Sequence, residues 1–114
     1  MSAITTHVLD TSRGRPAVGV PVTLDRRVGQ DQWSRLGQGE TDADGRVRTL
    51  MPGGASIDPG LYRLVFDTRR YFEALDIVTF FPSVTIVFNA APGEAHLHVP
   101  LLLSPFGYST YRGT

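Results

Sequence analysis

The run Val18-Gly19-Val20-Pro21-Val22-Thr23-Leu24 sets Val18, Val20, Val22 and Leu24 on alternate positions, with small or polar residues between them. Side chains on a strand point to opposite faces with a period of two, so this run reads as a β-strand whose even-numbered face enters a core. Pro21 lacks an amide donor and confines such a strand to a sheet edge or a bulge. The same signal recurs on both sides. Ile4 to Leu9 is β-branched and aliphatic, and Thr11-Ser12-Arg13-Gly14-Arg15-Pro16 behind it reads as a turn. Trp33 to Thr41, Leu61 to Phe66, Val84 to Phe88 and Leu97 to Leu103 read as further strands. Between them lie the turns Asp42-Ala43-Asp44-Gly45 and Ala91-Pro92-Gly93-Glu94 and a loop from Met51 to Gly60 that holds two Pro and three Gly. One helix is predicted over Thr68 to Ile77, capped by Thr68, with Tyr71, Phe72 and Leu75 on one face and Phe80-Phe81-Pro82 as its stop.

Seven or eight short strands at near-regular spacing with one short helix predict an all-β chain, an antiparallel β-sandwich with Greek-key connections. No period of 20 to 50 residues repeats and no segment is low in complexity, so residues 1–114 read as a single domain. Eleven cations balance eleven anions, and all eleven cations are Arg scattered along the chain. No basic face is available for a phosphate backbone, which argues against nucleic acid as a partner. The absence of Cys removes disulfides, thiolate nucleophiles and cysteine zinc sites together. No apolar run approaches the roughly 20 residues that span a bilayer, so no membrane partner is expected. The opening MSAITTHVLD lacks the basic and apolar regions of a secretory signal, and a cytoplasmic location is expected.

Histidine occurs three times, at His7, His96 and His98. Strand periodicity puts His96 and His98 on one face, and His7 beside Thr5 and Leu9 on its own. Imidazoles carried by strands are held more firmly than those on loops, which suits a base that must reach a water. Three histidines with a His-x-His pair also invite a zinc site, and at this level that alternative stays open. Solvated surface histidines are the plainer alternative. Arg46 and Arg48 share a face if their segment is extended, and guanidinium forks suit a flat, oxygen-rich heterocycle. Asp42-x-Asp44-Gly45 lacks the further acidic ligands of a calcium loop and is kept as a turn. Glu73 and Asp76 form no convincing carboxylate dyad, and no nucleophile-elbow or nucleotide-binding fingerprint is present. The aromatic and cationic terminus Tyr111-Arg112-Gly113-Thr114, close behind an apolar strand, suggests a docked tail, though a frayed end is equally consistent with the sequence.

Four ordered blocks carry a family resemblance over nearly the whole chain. They are Thr6-His7-Val8-Leu9-Asp10 with Gly14-Arg15-Pro16-Ala17; Thr41-Asp42-Ala43-Asp44-Gly45-Arg46; Tyr71-Phe72 with Phe80-Phe81-Pro82; and His98-Val99-Pro100-Leu101-Leu102-Leu103-Ser104 through Tyr108-Ser109-Thr110-Tyr111-Arg112-Gly113-Thr114. Together they resemble the 5-hydroxyisourate hydrolases of the transthyretin-like family. The terminal tetrapeptide resembles the enzymes rather than transthyretin, the carrier with the same fold. The resemblance implies a transthyretin-like, prealbumin-type β-sandwich assembled as a homotetramer, a dimer of dimers with sites in a central channel. It implies a hydrolysis that opens the six-membered ring of 5-hydroxyisourate to 2-oxo-4-hydroxy-4-carboxy-5-ureidoimidazoline in urate breakdown, with neither metal nor cofactor. The family's catalytic residues fall on His7, Arg46 and His98, and its substrate-binding tail on Tyr111, Arg112, Gly113 and Thr114. Arg48 and His96 lie outside that set. Thr114 stands where many members have Ser, and Leu97 where an aromatic is frequent. The alternative reading is a small-ligand carrier on the same scaffold without hydrolase activity.

Overall fold

The computed structural model describes residues 2–114. Nine strands and one helix follow in the order β1 (Ile4–Asp10), β2 (Arg15–Pro16), β3 (Pro21–Gly29), β4 (Gln32–Glu40), β5 (Arg46–Val47), β6 (Gly60–Phe66), α1 (Thr68–Ala74), β7 (Val84–Ala90), β8 (Leu97–Ser104) and β9 (Gly107–Thr110). They form two sheets. One runs β2-β1-β8-β9 with β5 also on β1, and the other runs β4-β3-β6-β7. Alternate residues of both enter a shared core, where Ile4, Val8, Leu101 and Leu103 of the first sheet and Leu24, Leu64, Phe66 and Tyr62 of the second are essentially inaccessible. Each such side chain contributes about 1.5–3 kcal/mol of apolar transfer, so this face fixes strand register. Among the described residues no helix is long and apolar enough to cross a membrane.

The all-β sandwich expected from strand spacing is therefore present, with differences that have physical causes. Val20, Val22 and Leu24 are buried as the alternation requires, but Val18 is 53% exposed. The strand begins only at Pro21, and Gly19 at φ 82° turns the chain ahead of it. Pro21 opens a central strand rather than an edge strand or a bulge, because the first residue of a strand can dispense with its ladder donor. Arg15–Pro16, read as part of a turn, pairs with the end of β1. Gly107–Thr110, read as part of the chain's finish, pairs with β8.

All strand pairs are antiparallel but one: β1 runs parallel to β8, with Thr5 opposite His98 and Thr6 opposite Val99. Most of the chain separates these two strands, so no hairpin dictates their relative direction. The helix is also shorter than predicted. Its cap is Asp67, whose carboxylate accepts from Arg70 N, while Thr68 is buried and donates its hydroxyl to Phe81 O at 2.6 Å. It ends at Ala74 because Asp76 takes φ 59°, ahead of the Phe80-Phe81-Pro82 stop. Tyr71 and Phe72 pack inward, and Tyr71 donates its hydroxyl to buried Asp10 at 2.8 Å, tying the helix to the end of β1.

Candidate active site

Three strands of the first sheet bring the scarce residues together. His7 on β1 is the register partner of Arg46 on β5, and Thr5, two residues earlier on the same face, is the partner of His98 on β8. Thr5, Thr6, Arg46, Arg48, His96, His98 and Thr114 line one open pocket of about 160 Å³.

The Asp42–Gly45 turn aims Arg46. Asp42 accepts the amides of Asp44 and Arg46 at 2.9 and 3.0 Å, and the bond from Arg46 is foremost in holding its carboxyl below the usual range. Gly45 takes φ 78°, and a Cβ there would stand 2.5 Å from Val8 O, so only glycine lets this turn press on β1. The two arginines differ in their partners. Arg48 reaches Asp42 at 3.1 Å and Asp44 at 3.8 Å. The guanidinium of Arg46 makes no ion pair among the described residues, which leaves it available to an anionic or carbonyl oxygen.

Hydrogen bonds orient the imidazoles. His7 Nε2 lies 2.8 Å from Asp44 O, and a carbonyl can only accept, so Nε2 carries the proton and Nδ1 is the basic nitrogen of the neutral ring. His98 Nδ1 lies 2.8 Å from Thr5 Oγ1, which leaves Nε2 free, and His96 Nε2 lies 3.2 Å from the same hydroxyl. Burial is the first cause holding the His98 pKa below the ordinary histidine value. The positive charges of Arg46, His7 and His96 act in the same direction, and a hydrogen bond to the Thr5 backbone opposes them. His98 is therefore neutral, and able to accept a proton, further into acid than a free imidazole. Among the described residues no group of three or more His, Asp or Glu is placed to hold a metal ion.

The tail is docked. Gly113 N donates to His98 O at 2.8 Å, forming an isolated bridge, and Arg112 pairs with Glu94 at 2.9 Å. A Cβ on Gly113 would stand 2.7 Å from His98 Cδ2, so the tail lies against the imidazole as closely as glycine allows. Thr114 then reaches the pocket. Tyr111 and Arg112 do not; they line a neighbouring, more apolar groove of about 240 Å³ with Phe88 and Asn89 of β7. Sequence periodicity put His96 with His98 and Arg48 with Arg46, but it placed Thr5 only beside His7 and gave no sign that it meets His98. Thr5 joins the site only through the parallel pairing of β1 with β8.

Comparison with known proteins adds to this geometry. The family model described as HIUase/Transthyretin matches residues 4–113. A 5-hydroxyisourate hydrolase of Salmonella dublin is 45% identical over 111 residues, covering 97% of this chain and 80% of the relative. The solved 5-hydroxyisourate hydrolase of Klebsiella pneumoniae superposes with a TM-score of 0.84 at 36% identity, covering 100% of this chain and 94% of that one. Sea bream transthyretin, solved with thyroxine, superposes with a TM-score of 0.90 at 31% identity, covering 99% and 96%. The backbone is thus as close to a carrier as to an enzyme, and the side chains of the pocket have to separate the two.

Proposed function

The chain belongs to the HIUase/transthyretin family, and from that premise we propose that it is a 5-hydroxyisourate hydrolase acting in urate catabolism. The observation that carries this reading over a carrier is the convergence of His98, an unpaired Arg46 and Thr114 on one pocket, with His7 next to Arg46 in register. A cavity for a hydrophobic ligand has little use for a free guanidinium beside imidazoles. The 45% identity to hydrolases points the same way.

In this reading residues 1–114 form one domain, and 5-hydroxyisourate lies with its carbonyl oxygens on Arg46. His98 Nε2 takes a proton from water as the water oxygen bonds to the ring carbonyl carbon. The carbonyl oxygen becomes negative, and Arg46 stabilises it. The ring C–N bond then breaks, the departing nitrogen takes the proton back from His98, and the carboxylic acid that forms loses its remaining proton to solvent, leaving a carboxylate. Positioned proton transfer of this kind contributes about 10²- to 10⁴-fold in rate. His7 orients water or substrate, and the Thr114 hydroxyl and terminal backbone hold the polar edge of the ring. Tyr111, Arg112 and Gly113 serve by docking the tail. No step calls for a metal or an organic cofactor. A homotetramer and a cytoplasmic location complete the reading, the latter checked by cell fractionation.

The test is the decay of 5-hydroxyisourate generated in place from urate by urate oxidase, followed by absorbance and circular dichroism. Acceleration over the spontaneous rate, unchanged by chelator, is expected. His7→Ala, Arg46→Ala and His98→Ala should each lower turnover at least about tenfold with assembly intact. Tight ligand binding without acceleration would overturn the hydrolase in favour of a carrier, and loss of activity on chelation, restored by metal, would overturn the metal-free route.

A further inference from the structure

Thr5 stands between two imidazoles. Its Oγ1 lies 2.8 Å from Nδ1 of His98 and 3.2 Å from Nε2 of His96, and the two rings are inclined by only 11°. The residue is 7% exposed, so water competes little for that oxygen. A hydroxyl has a single proton, so where it donates to one ring nitrogen it can only accept from the other. The chain of hydrogen bonds therefore runs in one of two senses. When Thr5 donates to His96, Nδ1–H of His98 donates to Thr5, and Nε2 of His98 keeps its lone pair. When Thr5 donates to His98, the neutral ring carries its proton on Nε2 and is no base at the nitrogen left for substrate.

We propose that Thr5 and His96 are positioning residues for the hydrolysis, holding the His98 ring and selecting the tautomer whose lone pair is on Nε2. The inference rests on the function proposed above and assigns roles to two residues that the family resemblance leaves without one. Two features of the geometry support it. Thr5 is fixed opposite His98 by strand register rather than by a loop, so the shorter bond is built into the sheet. His96 brings Nε2 within hydrogen-bond reach of the same hydroxyl, so the tautomer that leaves this nitrogen unprotonated accepts from Thr5 and sets the sense of the chain. A His96 ring with its proton on Nε2 donates instead, which reverses the chain and moves the His98 proton to Nε2. Among the described residues, the other charged or titratable side chains lining the pocket are Arg46 and Arg48, with His7 beside Arg46.

The experiment combines two readouts on the full chain: histidine side-chain ¹⁵N spectra at neutral pH, which report the tautomer without substrate, and steady-state kinetics on 5-hydroxyisourate. In the unmodified protein His98 should carry its proton on Nδ1. Thr5→Val and His96→Phe should shift His98 toward the Nε2–H form and lower kcat about fivefold to tenfold, with KM within about twofold. Thr5→Ser, which restores the hydroxyl, should return both the spectrum and kcat to near the original. A proton on Nε2 of His98 in the unmodified protein, unchanged kcat in Thr5→Val, or Thr5→Ser as impaired as Thr5→Val would overturn the proposal. The spectra do not depend on turnover, so a protein that fails to accelerate the reaction removes the hydrolase reading while the tautomer result still stands or falls by itself.

Discussion

His98 is the residue on which the most influences meet. Burial and the charges of Arg46, His7 and His96 disfavour its imidazolium, while a hydrogen bond to the Thr5 backbone favours it. Replacing Arg46 by Gln removes one of the repulsive charges, so the imidazolium becomes easier to form and the pKa of His98 rises. A base must be deprotonated to act, hence the acid limb of the residual kcat/KM profile should move to higher pH than in the unmodified protein. A limb at the same or lower pH would show that Arg46 does not act on this base. Which residues meet here was partly legible in the sequence. Scarcity singled out His7, His96 and His98, and strand periodicity put the last two on one face. Thr5 is a common residue type that lies 93 positions from His98, and only the direction of strand pairing reveals it.

Among the elements, β3 shows how far alternation carries and where it stops. Val20, just ahead of the strand, and Val22 and Leu24 within it point inward as the pattern predicts, but the register shifts between Leu24 and Asp25, and Asp25 is buried as well. The shift sets Asp25 between register partners on both sides, Arg35 of β4 and Arg63 of β6, each bonded at 2.7 Å. Arg63 also lies 4.5 Å from the Trp33 ring, which steadies it. Burial raises the Asp25 pKa, but the bonds and charges of the two arginines outweigh it and leave the carboxyl below its ordinary value. A depressed folded-state pKa contributes stability above the unfolded value, near 3.9, and loses it as pH falls through the folded one. Asp25→Asn should thus cost about 1–2 kcal/mol at neutral pH, a modest figure because both guanidinium groups keep solvent access. Denaturant melts at several pH values should show that deficit shrinking toward zero in acid; a pH-independent deficit would mean that shape, not charge, is what Asp25 supplies. Bulges, the Asp76 turn that ends α1 and the short β2 and β5 strands depend on local backbone angles and neighbours, which hydrophobic period does not encode.

At the scale of the whole molecule, the two sheets present open edges on the strands β7 and β9. An unpaired edge is a template for another chain, and exposed Val87 and Tyr108 on these strands do little to discourage it. Two copies related by a twofold axis would pair β7 with its counterpart and β9 with its counterpart, extending both sheets. The apolar groove that Tyr111 and Arg112 share with β7 lies along this side, so the same pairing would also cover the outside of the tail that docks on His98. Val18, ahead of β3, and Phe106, in the β8–β9 turn, remain exposed elsewhere, and they would supply apolar contact if two such dimers closed into a tetramer. Native mass spectrometry should then find four chains, and the double variant Val18→Asp with Phe106→Asp should yield folded dimers. If the pocket opens on a channel walled by both dimers, these dimers should lose 5-hydroxyisourate hydrolysis along with the tetramer, because closure excludes bulk water and sharpens the pull of Arg46 on a developing charge. A fully active dimer would confine the site to one face of one sheet, and an unmodified protein that is monomeric and active would remove the assembly from the mechanism altogether.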